Sequence, residues 1–174
     1  NLNRSIGLDQ ENKFIPEIAR VSVRKINSWW QQITIRKGSK FFLKVGQGVI
    51  YREGIMGRVI RVGSRSSEIE LITNPTFRIV AHVENDSRPV HFQGNGINWK
   101  GQPQGIVRDV PQDIKLTPNK ELKLISSSLG GNFPSGILIG TIHQLEGDEN
   151  GLFKTGTVLI NRNLNRAQEV TVLI

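Results

Sequence analysis

Apolar residues recur at every second position in short runs along this chain, and each run is cut off by a turn before a helix could form. Ile18, Val21 and Val23 stand among charged and small residues within 17–24, with one break in the pattern, and Ile33 and Ile35 alternate within 30–36. Alternation over such lengths is the mark of a half-buried strand. Lys37-Gly38-Ser39-Lys40, Val45-Gly46-Gln47-Gly48, 63–67 and Asn74-Pro75 supply turns between further runs at 48–51, 55–62, 68–73 and 76–83. The first two of these runs, joined by Arg52-Glu53-Gly54, read as a hairpin. Residues 85–110 look least regular, with short strands expected around His91-Phe92 and Ile106-Val107. Runs at 137–145, 152–160 and 169–174 close the chain, the first two flanking an acidic tip at 147–151. About eleven short strands and no long amphipathic helix pattern predict an all-β protein built as barrels or a sandwich. Residues 1–16 are expected to be a short helical stub or linker.

The stretch from Ser126 to Thr141 carries four glycines and one proline. Gly130-Gly131 tolerates positive φ, and Pro134 fixes its own φ while steering Phe133 away from helical geometry. Leu129 to Gly136 is therefore expected to be a rigid loop between two strands. Its aromatic, Phe133, looks exposed. Two readings of it stand side by side: an apolar anchor for a partner, flanked by Asn132 and Pro134, or a plug for one end of a barrel. Gly130, Gly131, Gly136 and Gly140 read as structural.

Composition narrows the chemistry. The chain has 174 residues and no cysteine, which excludes disulfides, thiolate metal sites and cysteine nucleophiles. No apolar run approaches the roughly 18 residues that a membrane span needs, and no targeting leader is visible. The first residue is Asn, so the sequence reads as a processed form or an excised fragment. Charge is lopsided. Residues 1–65 hold 13 Lys/Arg against 4 Asp/Glu, whereas 66–174 hold 10 against 11. Such a basic half suits nucleic acid, anionic lipid or an acidic protein, or is a solvated surface.

Catalytic and ligand-binding patterns are absent. His82, His91 and His143 stand apart in the sequence, and Ser126-Ser127-Ser128 and Ser135-Gly136 lack the settings of a serine nucleophile. No histidine spacing suits a metal, Asp148-Glu149-Asn150 lacks calcium-loop spacing, and no phosphate-binding glycine loop is present. Glu68 and Glu70 read as one solvated strand face. No cofactor and no enzymatic activity are expected. A nucleic-acid module remains the alternative. Arg36, Lys37, Lys40, Lys44, Arg58, Arg61 and Arg65 would form its groove, and Phe41, Phe42, Tyr51 and Trp29-Trp30 would supply its stacking rings.

Leu129-Gly130-Gly131-x-Phe133-Pro134-x-Gly136-Ile137-x-x-Gly140-Thr141 resembles the C-terminal region of the bacterial rod-shape-determining MreC family, with Ser128 where the family often has glycine and Leu138 where it often has proline. The likeness continues through Val21-Ser22-Val23-Arg24 with Trp29-Trp30, then Ile35-Arg36-Lys37-Gly38, Gly54-Ile55-Met56-Gly57-Arg58-Val59, Leu71-Ile72-Thr73-Asn74-Pro75 and 109–114. Asn74 stands for the usual Asp, and Asn119-Lys120 for the usual Gly-Asp. Over roughly residues 17–174 the motifs keep the family's order. The resemblance implies two small β-barrels with a chymotrypsin-like overall form, here 17–86 and 87–174, the last strand being a candidate to return to the first barrel. It implies a non-enzymatic scaffold of cell-wall elongation on the extracytoplasmic, periplasmic face of the inner membrane. Its partners would be a penicillin-binding transpeptidase and elongation proteins of the MreB, MreD and RodA type, with no nucleic acid expected. Membrane attachment would come from an upstream helix absent here, and self-association from a coiled coil.

Overall fold

The computed structural model describes residues 14–26, 31–52, 54–130 and 132–174. The helical stub expected within 1–16 falls almost wholly outside them, as do Trp29 and Trp30. At the first described residues the chain is already extended, and Ile15 and Ile174 exchange backbone hydrogen bonds at 2.8 and 2.9 Å.

Twelve strands follow: β1 (Pro16–Ile26), β2 (Gln31–Ile35), β3 (Gly48–Tyr51), β4 (Gly54–Val62), β5 (Ser67–Leu71), β6 (Arg78–Val83), β7 (Val90–Ile97), β8 (Pro103–Pro111), β9 (Lys123–Ser126), β10 (Leu138–Gly147), β11 (Phe153–Leu159) and β12 (Glu169–Leu173). Their pairing closes two rings of six. In the first, β1, β2, β5, β4, β3 and β12 each hydrogen-bond to the next, and β12 returns to β1. In the second, the cycle runs β6, β7, β8, β11, β10, β9 and back to β6. One parallel bridge, Leu138 with Gly54, joins the rings.

The period-two pattern explains the interior. On β2, Ile33 and Ile35 point inward and are buried, Ile33 opposite Ile69 and Ile35 opposite Ser67 of β5. In the second ring, Phe77 and Phe92 meet edge to face, with ring centroids 6.3 Å apart, a favoured aromatic geometry.

Two expectations need correction. Residues 85–110 are not mostly irregular, since β7 and β8 form one of the longer hairpins. Glycines misled the reading. Gly94 and Gly105 are directly opposed in register, and a Cβ at 105 would lie 2.3 Å from the Phe92 ring. Glycine here admits a bulky core side chain rather than ending a strand. The boundary drawn at 86/87 also sits one strand late. β6 pairs with β7 and β9, so the chain crosses between rings at 72–77. β12 lies between β1 and β3 in the first ring.

Candidate functional site

The crossing at 72–77 is held by side chains from both rings. Asn74 Oδ1 accepts hydrogen bonds from Thr76 N at 3.0 Å and Thr76 Oγ1 at 2.8 Å, the local bonding that suits Asn to a turn. Thr73 Oγ1 donates to the buried Gln31 Oε1 at 2.7 Å. Arg58 of β4 reaches across. Its Nε donates to Glu70 Oε2 at 3.1 Å, its two Nη groups donate to the carbonyls of Thr76 and Arg78 at 3.4 Å, and its guanidinium lies 5.0 Å from the Phe77 ring centre. The single Thr76 hydroxyl proton is shared between Asn74 Oδ1 and the other Glu70 oxygen. Glu70 is only 5% exposed although it lies on the outward side of β5. This corrects the solvated-face reading: the segment entering the second ring covers it, and Arg58 supplies its counter-charge. Glu68 is ion-paired with Arg61.

The Leu129–Gly136 loop packs onto the same junction. Ser126 organises it: Oγ donates to the Pro134 carbonyl at 2.7 Å and accepts from Ile137 N at 2.9 Å. Gly136 takes φ +93°, which a side chain would resist, and Gly140 is buried beside the Leu159 carbonyl. Gly130 ends a 3-10 turn, Ser128–Gly130, and Gly131 lies outside the described residues. Phe133 is not exposed. It is 4% accessible and its ring lies over Gly48 of the first ring, so in this conformation the loop shows a partner other atoms. Asn132 and Pro134 are half-buried, and Leu129 is 72% exposed.

Beside the loop, a cleft of about 550 Å³ opens on the outer face of β6, β7 and β8, with Asn132 and Arg58 in its lining. Val80, His91 and Arg108 are successive cross-strand neighbours on that face, and Arg78 and Gln93 form the next row. His91 Nδ1 donates to Asp109 Oδ2 at 2.7 Å, and Arg108 Nη1 donates to Gln93 Oε1 at 2.6 Å. Sequence reasoning missed both this cleft and the Arg58 clasp. The spacing of Gly57-Arg58-Val59 and Leu71-Ile72-Thr73-Asn74-Pro75 hinted at the clasp. Nothing local hinted at His91 with Asp109, which depends on the β7–β8 register.

The other candidates resolve into ordinary structure. The Ser126 hydroxyl is used by the loop backbone, and Ser127 Oγ accepts from Leu129 N at 3.2 Å. Asp148 Oδ1 caps its own turn, accepting from Leu152 N at 3.1 Å. Among the described residues, no three His, Asp or Glu side chains gather as metal ligands, and no helix is long and apolar enough to cross a membrane. Of the basic groove set, Lys37, Arg58 and Arg61 are ion-paired with Glu17, Glu70 and Glu68, which breaks the groove's charge. Phe41 and Phe42 are exposed beside Lys40, while Tyr51 is half-buried.

The profile described as "Rod shape-determining protein MreC, barrel core" matches residues 21–174. The cell shape-determining protein MreC of Listeria monocytogenes serovar 1/2a is 30% identical over 177 residues, covering 95% of this chain and 55% of that protein. The chain thus spans about half the length of that relative. A solved structure of MreC from Listeria monocytogenes superposes with a TM-score of 0.76 at 29% identity, over 99% of this chain and 88% of that one. A chain from the complex between penicillin-binding protein PBP2 and MreC of Helicobacter pylori superposes at 0.68 with 12% identity, over 93% and 99%, a likeness of fold alone.

Proposed function

The chain belongs to the MreC family of rod shape-determining proteins, and from that premise we propose that it is a non-catalytic docking module that holds a penicillin-binding transpeptidase within the cell-wall elongation machinery. The observation that carries this reading is the complex that a structural neighbour forms with a penicillin-binding protein. Composition and site chemistry agree with it. Gly57-Arg58-Val59, Leu71-Ile72-Thr73-Asn74-Pro75 and the loop around Phe133 meet as packing and hydrogen bonding between two barrels, not as reactive groups in a cavity. A rigid junction suits a module whose task is to present a fixed surface.

The contact surface proposed is the rim of the Leu129–Gly136 loop. Leu129 is the exposed apolar group, Asn132 and Pro134 flank it, and the buried Phe133 holds the loop from beneath. On this reading the protein works on the periplasmic side of the inner membrane, tethered by a segment N-terminal to the barrels, and cooperates with MreB-, MreD- and RodA-type proteins and with further copies of itself.

The test is capture from a bacterial membrane extract, with this chain as bait and nuclease present. Recovery of a penicillin-binding transpeptidase supports the reading. Retention of nucleic acid-dependent proteins alone, abolished by the nuclease, would replace it with a nucleic-acid module.

A further inference from the structure

The cleft on the outer face of β6, β7 and β8 combines three features: an excess of cations over carboxylates, a hydrogen-bonded imidazole and a local backbone distortion. Arg78 and Arg108 are exposed at its sides. Neighbouring strands lie roughly 5 Å apart, so β6 and β8 are spaced by about 10 Å across the face. Among the described lining residues the one acid is Asp109, and its carboxylate is engaged by His91. Arg58 is already paired with Glu70. The two outer arginines therefore outnumber the one carboxylate of the lining, Asp109, and leave the cleft with an excess of positive charge.

The distortion is a bulge in β8. Lys154 pairs with Val110 and Gly156 with Val107, so Arg108 and Asp109 together face the single Thr155. Asp109 adopts φ +62°, a conformation costly for residues with a side chain. The bulge breaks the alternation of β8, leaving both residues exposed, and it sets the Asp109 carboxylate against His91. Bulges re-aim side chains in this way. Here the result is an imidazole held against Asp109, with Val80 and Arg108 as its cross-strand neighbours.

We infer that this cleft is a docking site for an acidic, extended segment of a protein partner, with Arg78 and Arg108 taking its carboxylates and Val80 meeting an apolar side chain between them. Guanidinium groups recognise carboxylates through paired, charge-assisted hydrogen bonds. Every strand of this ring already has two neighbours, so the segment cannot join the sheet as a further strand and is held by side chains. At about 550 Å³ the space exceeds what one small anion would fill. Nucleic acid fits poorly, because the one phenyl or indole ring in the lining, Phe92, is 1% exposed and the His91 imidazole is tied to Asp109, which leaves no row of stacking rings. The inference does not depend on the transpeptidase being the partner.

The test titrates this chain, labelled with 15N, with the blocked peptide Glu-Val-Glu-Val-Glu, its Gln-Val-Gln-Val-Gln counterpart and inorganic phosphate. The expected result is saturable amide shifts at 78–80, 91–93 and 108–109, with at least a tenfold loss of affinity for the Gln peptide. Arg78→Glu with Arg108→Glu should abolish saturation and leave the remaining spectrum folded. Arg20→Glu, on β1, should leave binding unchanged. The inference is overturned if shifts map to the basic 36–45 segment, if the Gln peptide binds equally, or if phosphate saturates the same amides at the affinity of the Glu peptide. Because no transpeptidase enters the titration, these outcomes are separate from those of the capture experiment.

Discussion

The ring of Phe133 lies so close over Gly48 that a Cβ at position 48 would sit 2.6 Å from Phe133 Cε1 and 2.6 Å from the Asn132 carbonyl oxygen. This contact spans the two barrels. The ring belongs to the loop before β10 and the glycine to β3.

Phe133→Ala should accordingly destabilise the fold, by about 3–5 kcal/mol as for other buried phenylalanines, rather than act on binding alone. Gly48→Ala should cost about 1–3 kcal/mol through overpacking. The two should be less than additive, because the first removes the ring atoms with which the second collides and leaves only the Asn132 carbonyl. Urea unfolding of the single and double variants reads all three values, and full additivity would contradict the contact.

Leu129→Ser is expected to behave oppositely. The side chain is exposed, so stability should move by no more than about 0.5 kcal/mol. Capture of the transpeptidase should fall several-fold. A folded Leu129→Ser variant that captures as well as the parent would exclude this rim as the contact.

Removing Arg58 leaves Glu70 covered and without its counter-charge. Arg58→Met should cost about 3 kcal/mol, whereas Arg58→Met with Glu70→Met should lose less, because no buried charge is then stranded. Thermal melts give the comparison. Limited proteolysis should show new cleavage at 72–77 in the single variant, where the clasp has been released.

Arg88 is forked between two acids. It meets Asp113 with both Nη groups at 2.8 Å and Asp86 at 2.7 Å. The Arg88 side-chain hydrogen bond lowers the Asp86 pKa from 3.8 to about 2, and the same guanidinium lowers that of Asp113. The folded value of Asp86 lies below the unfolded one. Its contribution to stability is therefore complete above pH 3.8 and lost as pH falls through about 2. In Arg88→Ala the Asp86 carboxyl should titrate higher than in the parent but still below its ordinary value, because the backbone N–H of residue 88 keeps its hydrogen bond to Asp86 Oδ1, as followed by carbon NMR. An unchanged titration would mean that Arg88 does not hold it.

Strand positions were legible wherever alternation met a turn residue, as at Asn74-Pro75 or 52–54. Ring membership was not, because β6 follows β5 directly and no local residue says which neighbours it will choose. The motif residues were found but their work was misjudged. Phe133 looked exposed because glycine and proline surround it, yet those residues are what let the loop fold back and bury the ring. Glu70 looked solvated because its strand alternates, and what covers it comes from the next barrel. His91 and Asp109 lie 18 residues apart, and a bulge joins them that only the register of three strands defines.

The place of β12 between β1 and β3 sets the order in which the molecule can be completed as the chain emerges into the compartment where it folds. All six strands of the second ring, 78–159, precede β12 in the chain, so that barrel can close while the first still lacks a stave. The barrel begun earliest is finished last. Until 169–173 emerge, β1 and β3 stand with unpaired backbone beside an already folded neighbour, an interval in which a nascent chain is exposed to mispairing.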